Sequence, residues 1–334
     1  MLGQRKLVCR GVDFKEKCDG LQLSEHGVQK NILVIGGTRY FGKRLVAGLL
    51  ERGHAVTIAT RGRTPDLHGD RVRRIRVDRR DALAMATVFD KARYDVVFDQ
   101  MCYSPLDAAI ASTAFHGKVG RYVMASTIEV YADLAPLDRP FREDDLDLAA
   151  QAVDFGYPWH APERADESYA AGKRQAEAHL VQRGDLPFVS VRIAHVLDGP
   201  ADFTGRLANY VHRVARGDTL RHAATAARTS FIGAADIAEF LCWAGDATFE
   251  GPVNAAGASR WSALDLHRRA AALLDRPALS LSVEGGVQPT ELSPFDYAAP
   301  YVMDTSRAQS LGYRFDPADS WLDDAIREHA LAHG

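Results

Sequence analysis

The chain has too few cysteines, too evenly scattered, to build a disulfide frame or a zinc site. Its 334 residues hold four, Cys9, Cys18, Cys102 and Cys242, with no C-x-x-C pair among them. They read as reduced thiols, so a cytoplasmic protein without a metal is expected. Long apolar runs are missing too. No stretch approaches the roughly 18 apolar residues that a membrane-spanning helix needs. The first twenty residues lack the apolar centre of a secretory signal. A charge excess is also lacking: 41 basic residues face 44 acidic ones, for a net charge of −3. Bulk charge therefore disfavours a nucleic-acid partner, although a local basic patch remains compatible with it. There is no internal repeat and no low-complexity tract.

What is present is an alternation of strand and helix patterns. Residues 1–29 are polar and aperiodic and read as a loose N-terminal extension. Asn31–Ile35 is an apolar run that fits a buried strand. Phe41, Leu45 and Leu49 then recur every four residues, which predicts a helix ended by Gly53. Further strands are expected at 55–60, 74–77, 95–98, 121–125 and 188–193. Helices are expected at 81–91, 105–115, 168–183 and 236–244, the last capped by Asp236. Such alternation predicts an α/β fold, a Rossmann-type doubly wound parallel sheet covered on both faces. Residues 30–194 together with about 226–245 are assigned to the dinucleotide-binding domain. Residues 195–225 and 246–334 are assigned to a smaller, discontinuous substrate lobe.

Directly after the first strand stands GGTRYFG, residues 36–42. Strand, glycine-rich turn and helix in that order form the context of a dinucleotide fingerprint. Gly36 permits the tight turn, Gly42 lets helix and strand approach, and the helix N-terminus faces a pyrophosphate. Gly37, Thr38, Tyr40 and Phe41 complete the predicted contact set. The middle glycine of the pattern is replaced by Arg39. The second strand ends in Ala59-Thr60-Arg61-Gly62-Arg63, without the acid that holds a ribose 2′-hydroxyl in NAD enzymes. Arg39 and Arg61 are therefore expected to line the adenosine-phosphate end, favouring NADP over NAD as cofactor. The alternative leaves both arginines solvated at the rim. Asp78 either accepts from the adenine amino group or caps the 81–91 helix.

Two further segments carry chemistry. Tyr169 and Lys173, in SYAAGK, share one helical face at i, i+4. An ammonium beside a phenol lowers its pKa from about 10 toward neutrality, which would suit Tyr169 for proton relay during hydride transfer. In MASTIEVY, Thr127 offers a hydroxyl at the C-terminal end of a parallel strand, where such sites lie.

These motifs together, with VRIAHVLDGP and SFIGAADIAEF, resemble the extended short-chain dehydrogenases/reductases of the NAD-dependent epimerase/dehydratase kind, over about residues 31–330. The resemblance implies Thr127 as the hydroxyl of the catalytic set, Tyr169 as acid/base and Lys173 as its partner, touching the cofactor as well. The loop Asp99-Gln100-Met101-Cys102 should pass over the nicotinamide-ribose side, with Gln100 as a cofactor contact. It also implies a homodimer through the 105–115 and 168–183 helices. Where sugar 4,6-dehydratases resemble S-T-D-E-V-Y, this chain has Ile128, which cannot act as an acid, so that reaction is excluded. Glu129 remains as a second base or as a solvated loop carboxylate.

The family's asparagine after the sixth strand is His195 here, a substrate contact, a base or a satisfied buried histidine. Arg228, a further candidate substrate clamp, is displaced by one residue from the family's arginine. Arg206 and Arg192 are candidate clamps for a substrate phosphate or carboxylate, with a structural ion pair as the alternative for Arg192. Residues 135–165 exceed the family's spacing, and Trp159-His160 within them form either a lid or surface cover. The function expected is hydride transfer on a sugar, nucleotide-linked by family frequency, or on a related hydroxy/keto metabolite. Three alternatives are an NADPH-dependent carbonyl reductase of secondary metabolism, a cofactor-sensing regulator, and an RNA-binding protein on a dehydrogenase fold. The last rests on the GGTR turn, which resembles that of chloroplast stem-loop RNA-binding proteins.

Overall fold

The computed structural model describes residues 28–134, 136–283, 293–316 and 319–332; the expected N-terminal extension falls almost wholly outside them. Seven parallel strands form the central sheet, in the order β10-β6-β5-β4-β1-β2-β3. They are β1 (Asn31–Ile35), β2 (Ala55–Thr60), β3 (Val72–Arg76), β4 (Val96–Asp99), β5 (Tyr122–Thr127), β6 (Phe188–Ile193) and β10 (Gly251–Ala255).

Alternation explains why both faces are covered. Ile32 and Val34 of β1 point to one side, toward α1 (Tyr40–Glu51) and α6 (Ala234–Asp246). Leu33 and Ile35 point to the other, toward α2 (Ala82–Val88), α3 (Pro105–Phe115) and α4 (Ala165–Arg183). All four side chains are buried. β-Branched and leucine side chains without polar neighbours thus form a strand that must sit in the middle of a layered core.

The smaller lobe is built on β7 (His195–Leu197), β9 (Thr229–Gly233) and β11 (Arg260–Trp261), with β8 (Leu220–Ala223) paired to β12 (Ser280–Val283). The helices α5 (Arg206–Arg216), α7 (Ala263–Leu273) and α9 (Asp319–Leu331) surround a second core of Leu207, Tyr210, Phe231 and Leu266; α8 (Ser306–Ser310) packs against β10.

Three expectations are corrected. Gly251–Ala255, assigned to the substrate lobe, is the seventh strand of the main sheet, because it pairs in register with Phe188–Ile193. Its small, sparsely apolar sequence GPVNA hid a strand that is buried by its neighbours. Asp236 does not cap α6; the N-cap is Gly233, without a side-chain bond, and Asp236 lies in the first turn. Nor does Asp78 cap α2, whose N-cap is Asp81, accepting from the Ala84 amide at 2.9 Å.

Candidate active site

The turn after β1 is shaped by its glycines. Gly36 and Gly37 have φ of 103° and 81°, in the left-handed region that glycine adopts at low cost. A Cβ on Gly42 would lie 3.0 Å from Gly37 Cα and would collide with Gln100 Oε1. The Gln100 amide side chain fills that gap, accepting from the Gly37 amide at 3.2 Å. Gln100 Nε2 is buried and makes no hydrogen bond to any described residue. The N-cap residue of α1, Arg39, makes no side-chain cap bond, so the first-turn amides are left for another acceptor. An unpartnered buried donor beside uncapped amides fits a dinucleotide pyrophosphate at this helix N-terminus.

Arg39 is exposed, and its Nε donates to Thr64 Oγ1 at 3.2 Å. That bond ties the turn to the loop after β2, where Arg61 and Arg63 are exposed and residues 59–63 hold no acid. Asp78 is exposed beyond β3 and accepts from the Arg80 amide at 3.0 Å. Tyr40, with φ of 51°, sends its hydroxyl to the Val196 carbonyl at 2.8 Å, pinning the turn to the small lobe.

Thr127 ends β5, and Tyr169 lies in the first turns of α4, above it. Burial raises the Tyr169 phenol above its ordinary pKa; the hydrogen bond with Thr127 and the Arg206 charge act against this, and Glu129 acts with it. Lys173 lies one helical turn beyond Tyr169 on α4. Its buried ammonium donates to the Ala125 carbonyl at 2.7 Å and lies 4.2 Å from the centre of the Tyr103 ring. Burial pushes it down to about 8. The Lys173 ammonium thus anchors α4 to the β5 backbone. The groups that favour the Tyr169 phenolate are Thr127 and Arg206.

The surroundings of Glu129 are aromatic. Tyr297 OH lies 2.8 Å from His195 Nε2, and His195 Nδ1 lies 3.9 Å from Glu129 Oε1. Burial, and then the Arg206 charge, pull His195 down to about 3, so the ring is neutral and the Glu129 contact is not an ion pair at neutral pH. Burial raises Glu129. Tyr301 OH donates to the Ile128 carbonyl at 2.9 Å. A cavity of about 200 Å³ opens between Glu129, Tyr297 and Tyr301, with Leu134, Phe141 and Pro300 as its apolar wall.

Two of the expected clamps do not reach it. Arg192 is fully buried, with Nη2 2.7 Å from Glu177 Oε2 and Nη1 2.8 Å from Tyr131 OH. It is the structural ion-pair partner, because β6 turns it into the core. Arg228 stands three residues before Phe231, and strand alternation turns the neighbouring Thr229 inward instead, its hydroxyl donating to the Tyr301 carbonyl at 2.7 Å. Arg228 itself is exposed and lies 3.4 Å from Asp265. Arg206 does face the site, with its guanidinium held by the Val196 carbonyl and Thr204. His160 approaches Asp107 at 3.1 Å and anchors the 151–164 segment over the N-terminus of α3, while Trp159 is buried.

Residues legible only in three dimensions are Tyr103, beneath Lys173, and Arg79 and Tyr122, both donating to the buried Asp99. Asp99 could have been suspected as an acid closing an apolar strand. Tyr297 and Tyr301 carry no local signal. Among the described residues no cluster of metal-ligating side chains occurs, and no helix is long and apolar enough to cross a membrane.

A sequence model of the NAD dependent epimerase/dehydratase family matches residues 32–113 of the chain. A 2-alkyl-3-oxoalkanoate reductase of Stenotrophomonas maltophilia (strain K279a) is 29% identical over 231 residues, 64% of each chain. The chloroplast stem-loop binding protein of 41 kDa b of Arabidopsis thaliana is 26% identical over 202 residues, 57% of this chain and 48% of that one. The matches thus span less than two thirds of these relatives. The structure of the UDP-glucose 4-epimerase of Thermus thermophilus, in complex with NAD, superposes with a TM-score of 0.67 at 20% identity, covering 90% of this chain and 98% of that one.

Proposed function

We propose that the protein is an NAD(P)-dependent oxidoreductase interconverting a secondary alcohol and a ketone, with net reduction as its main direction. The observation that carries this reading is the convergence of Thr127 and Tyr169 at the end of β5, beside a small apolar cavity. A nicotinamide dinucleotide, if held by the glycine turn and Gln100, would supply or accept the hydride. The Tyr169 phenol gives its proton to the substrate oxygen in reduction and takes it back in oxidation. Thr127 hydrogen-bonds the same oxygen. Arg206 stabilises the phenolate left on Tyr169, and Lys173 fixes the β5 backbone beneath them.

Support for a ketone rather than a nucleotide sugar comes from the clamps. Arg192 is consumed in the core and Arg228 faces outward, so two guanidiniums expected on a substrate diphosphate are absent from the cleft. The Stenotrophomonas relative is named as a reductase of an oxoalkanoate. An epimerase acting on a nucleotide-linked sugar is the second reading, favoured by the fold shared with UDP-glucose 4-epimerase. A stem-loop-binding role is weighed by the chloroplast relative's name, against retention of Thr127, Tyr169 and Lys173 here. Arg39 and Arg61, with no acid at the end of β2, support NADP as the cofactor.

The test is calorimetric titration of NADP⁺ and NAD⁺ on the wild-type protein and on Arg39→Gly. NADP⁺ is expected to bind more tightly, and Arg39→Gly to weaken it about tenfold or more, the worth of one charge-assisted hydrogen bond. Tighter NAD⁺ binding untouched by the change would put the epimerase reading first. Failure of both cofactors to bind would remove the enzyme reading and bring salt-dependent RNA binding forward.

A further inference from the structure

A second cleft, in the small lobe, lies away from the Thr127–Tyr169 centre and is lined by guanidinium groups. It holds about 600 Å³, between the strand pair β9/β11 and helix α7. Arg228 enters from the residue before β9, Arg260 from β11, and Arg268 and Arg269 from α7. Trp261 forms part of the wall, its ring 6.1 Å from Phe231 and 6.5 Å from Trp321.

Two carboxylates offset part of that charge, and both are already engaged. Asp265 closes the capping box of α7, its Oδ2 accepting from the Ser262 amide at 3.0 Å and lying 3.4 Å from Arg228 Nε. Asp323 takes Arg269 through two contacts, 2.7 and 3.1 Å. Arg260 and Arg268 are exposed, and no ion pair joins either to a described carboxylate. Four guanidiniums against two carboxylates leave an excess of two positive charges in one concave site. The one-residue displacement that removes Arg228 from the active-site side delivers it to this face instead.

We propose that this cleft is an anion site for a small phosphate-bearing ligand with at least two negative charges, separate from the cofactor turn. Guanidinium forks match phosphate oxygens in a bidentate way, and several of them around one concavity select adjacent phosphates over a lone carboxylate. The Trp261 face adds a stacking surface if the ligand carries a base. This proposal is independent of the oxidoreductase reading, since none of its residues touches the glycine turn or Tyr169.

The experiment is calorimetric titration of pyrophosphate and of ATP, with NADP⁺ present at saturation and again without it, followed by tryptophan fluorescence. It is run on the wild type, on Arg260→Ala/Arg268→Ala, and on Gly42→Ala. The expected result is one-to-one binding that survives NADP⁺, is lost at least tenfold in the double variant, and is retained in Gly42→Ala. Unchanged NADP⁺ affinity in the double variant shows that its fold is intact. Quenching by ATP but not by pyrophosphate assigns a nucleotide; equal affinity for both assigns the phosphates alone. Binding that vanishes with NADP⁺ or in Gly42→Ala would place the phosphates on the cofactor turn and overturn the proposal. Equal binding by the double variant would also overturn it, as would tight binding of duplex RNA with neither small ligand bound.

Discussion

At the scale of single residues, two titratable groups define what the site can do. Tyr169 is held protonated by burial and released by Thr127 and Arg206. Replacing it by Phe removes only the hydroxyl. The expected outcome is a fall in kcat of about 10²–10⁴-fold, the usual worth of a positioned general acid, with cofactor affinity unchanged. Steady-state turnover with a reducible ketone beside NADP⁺ titration checks it; an equal loss of cofactor binding would make the phenol a packing group instead.

His195 is the other. Its native pKa is pulled down to about 3, against about 6.5 in an unfolded chain. Between those values the unfolded state binds a proton that the native state refuses, so native stability falls as pH drops below 6.5. The slope contributed is about 1.4 kcal/mol per pH unit. His195→Asn should flatten the loss by that amount between pH 6 and 4, as read from denaturant midpoints. Parallel curves for the two proteins would show that the imidazole is hydrated or paired when charged. The histidine was visible in the sequence in the place of the family's asparagine, but the burial that keeps it neutral comes in part from Tyr297 and Phe295, which lie about a hundred residues away.

At the scale of elements, local chemistry was legible wherever it was set by neighbours in sequence. Pro105–Phe115 and Phe188–Ile193 form at the expected bounds, and the 168–183 helix extends back to Ala165, since periodicity and caps are local signals. Gly251–Ala255 was not legible, because a strand covered on both sides needs no alternation of its own. The bond of Lys173 to the β5 backbone was not legible for a related reason. Spacing of four puts two residues on one helical face but does not say which of them turns toward the sheet.

The turn before α1 makes the sharpest prediction at this scale. Gly42 is packed against Gly37 and Gln100, with no room for a methyl group. Gly42→Ala must displace the Gln100 side chain and its bond to the Gly37 amide. Dinucleotide affinity is expected to fall by at least tenfold while the far-ultraviolet circular dichroism stays that of the wild type. Unchanged affinity would mean that Gln100 can leave the turn at no cost, so that the glycine serves packing alone.

At the scale of the whole molecule, sequence and structure together raise the question of assembly. α3 and α4 pack side by side on one face of the sheet. Their inward sides are consumed by that packing, with Ala108, Ala111, Ala176 and Leu180 fully buried. Their outward sides keep apolar groups at helical spacing: Leu106 and Ile110 on α3 are half-buried, Ala170 and Ala171 on α4 likewise, and Val181 is exposed. Four helices meeting about a two-fold axis would bury these stripes isologously, each α3 against the partner's copy. The same face supports the site, since Tyr169 and Lys173 lie on α4, and Asp107 of α3 holds His160 of the covering segment. We therefore expect a homodimer, with a light-scattering mass twice the 36.6 kDa of the chain. Leu106→Glu/Ile110→Glu places like charges opposite each other across the axis and should yield monomers with a native circular dichroism spectrum. If dimerisation rigidifies α4, those monomers will also turn over more slowly at undiminished cofactor affinity. A wild-type protein of monomer mass at micromolar concentration would rule this assembly out and leave the two helices to position the site alone.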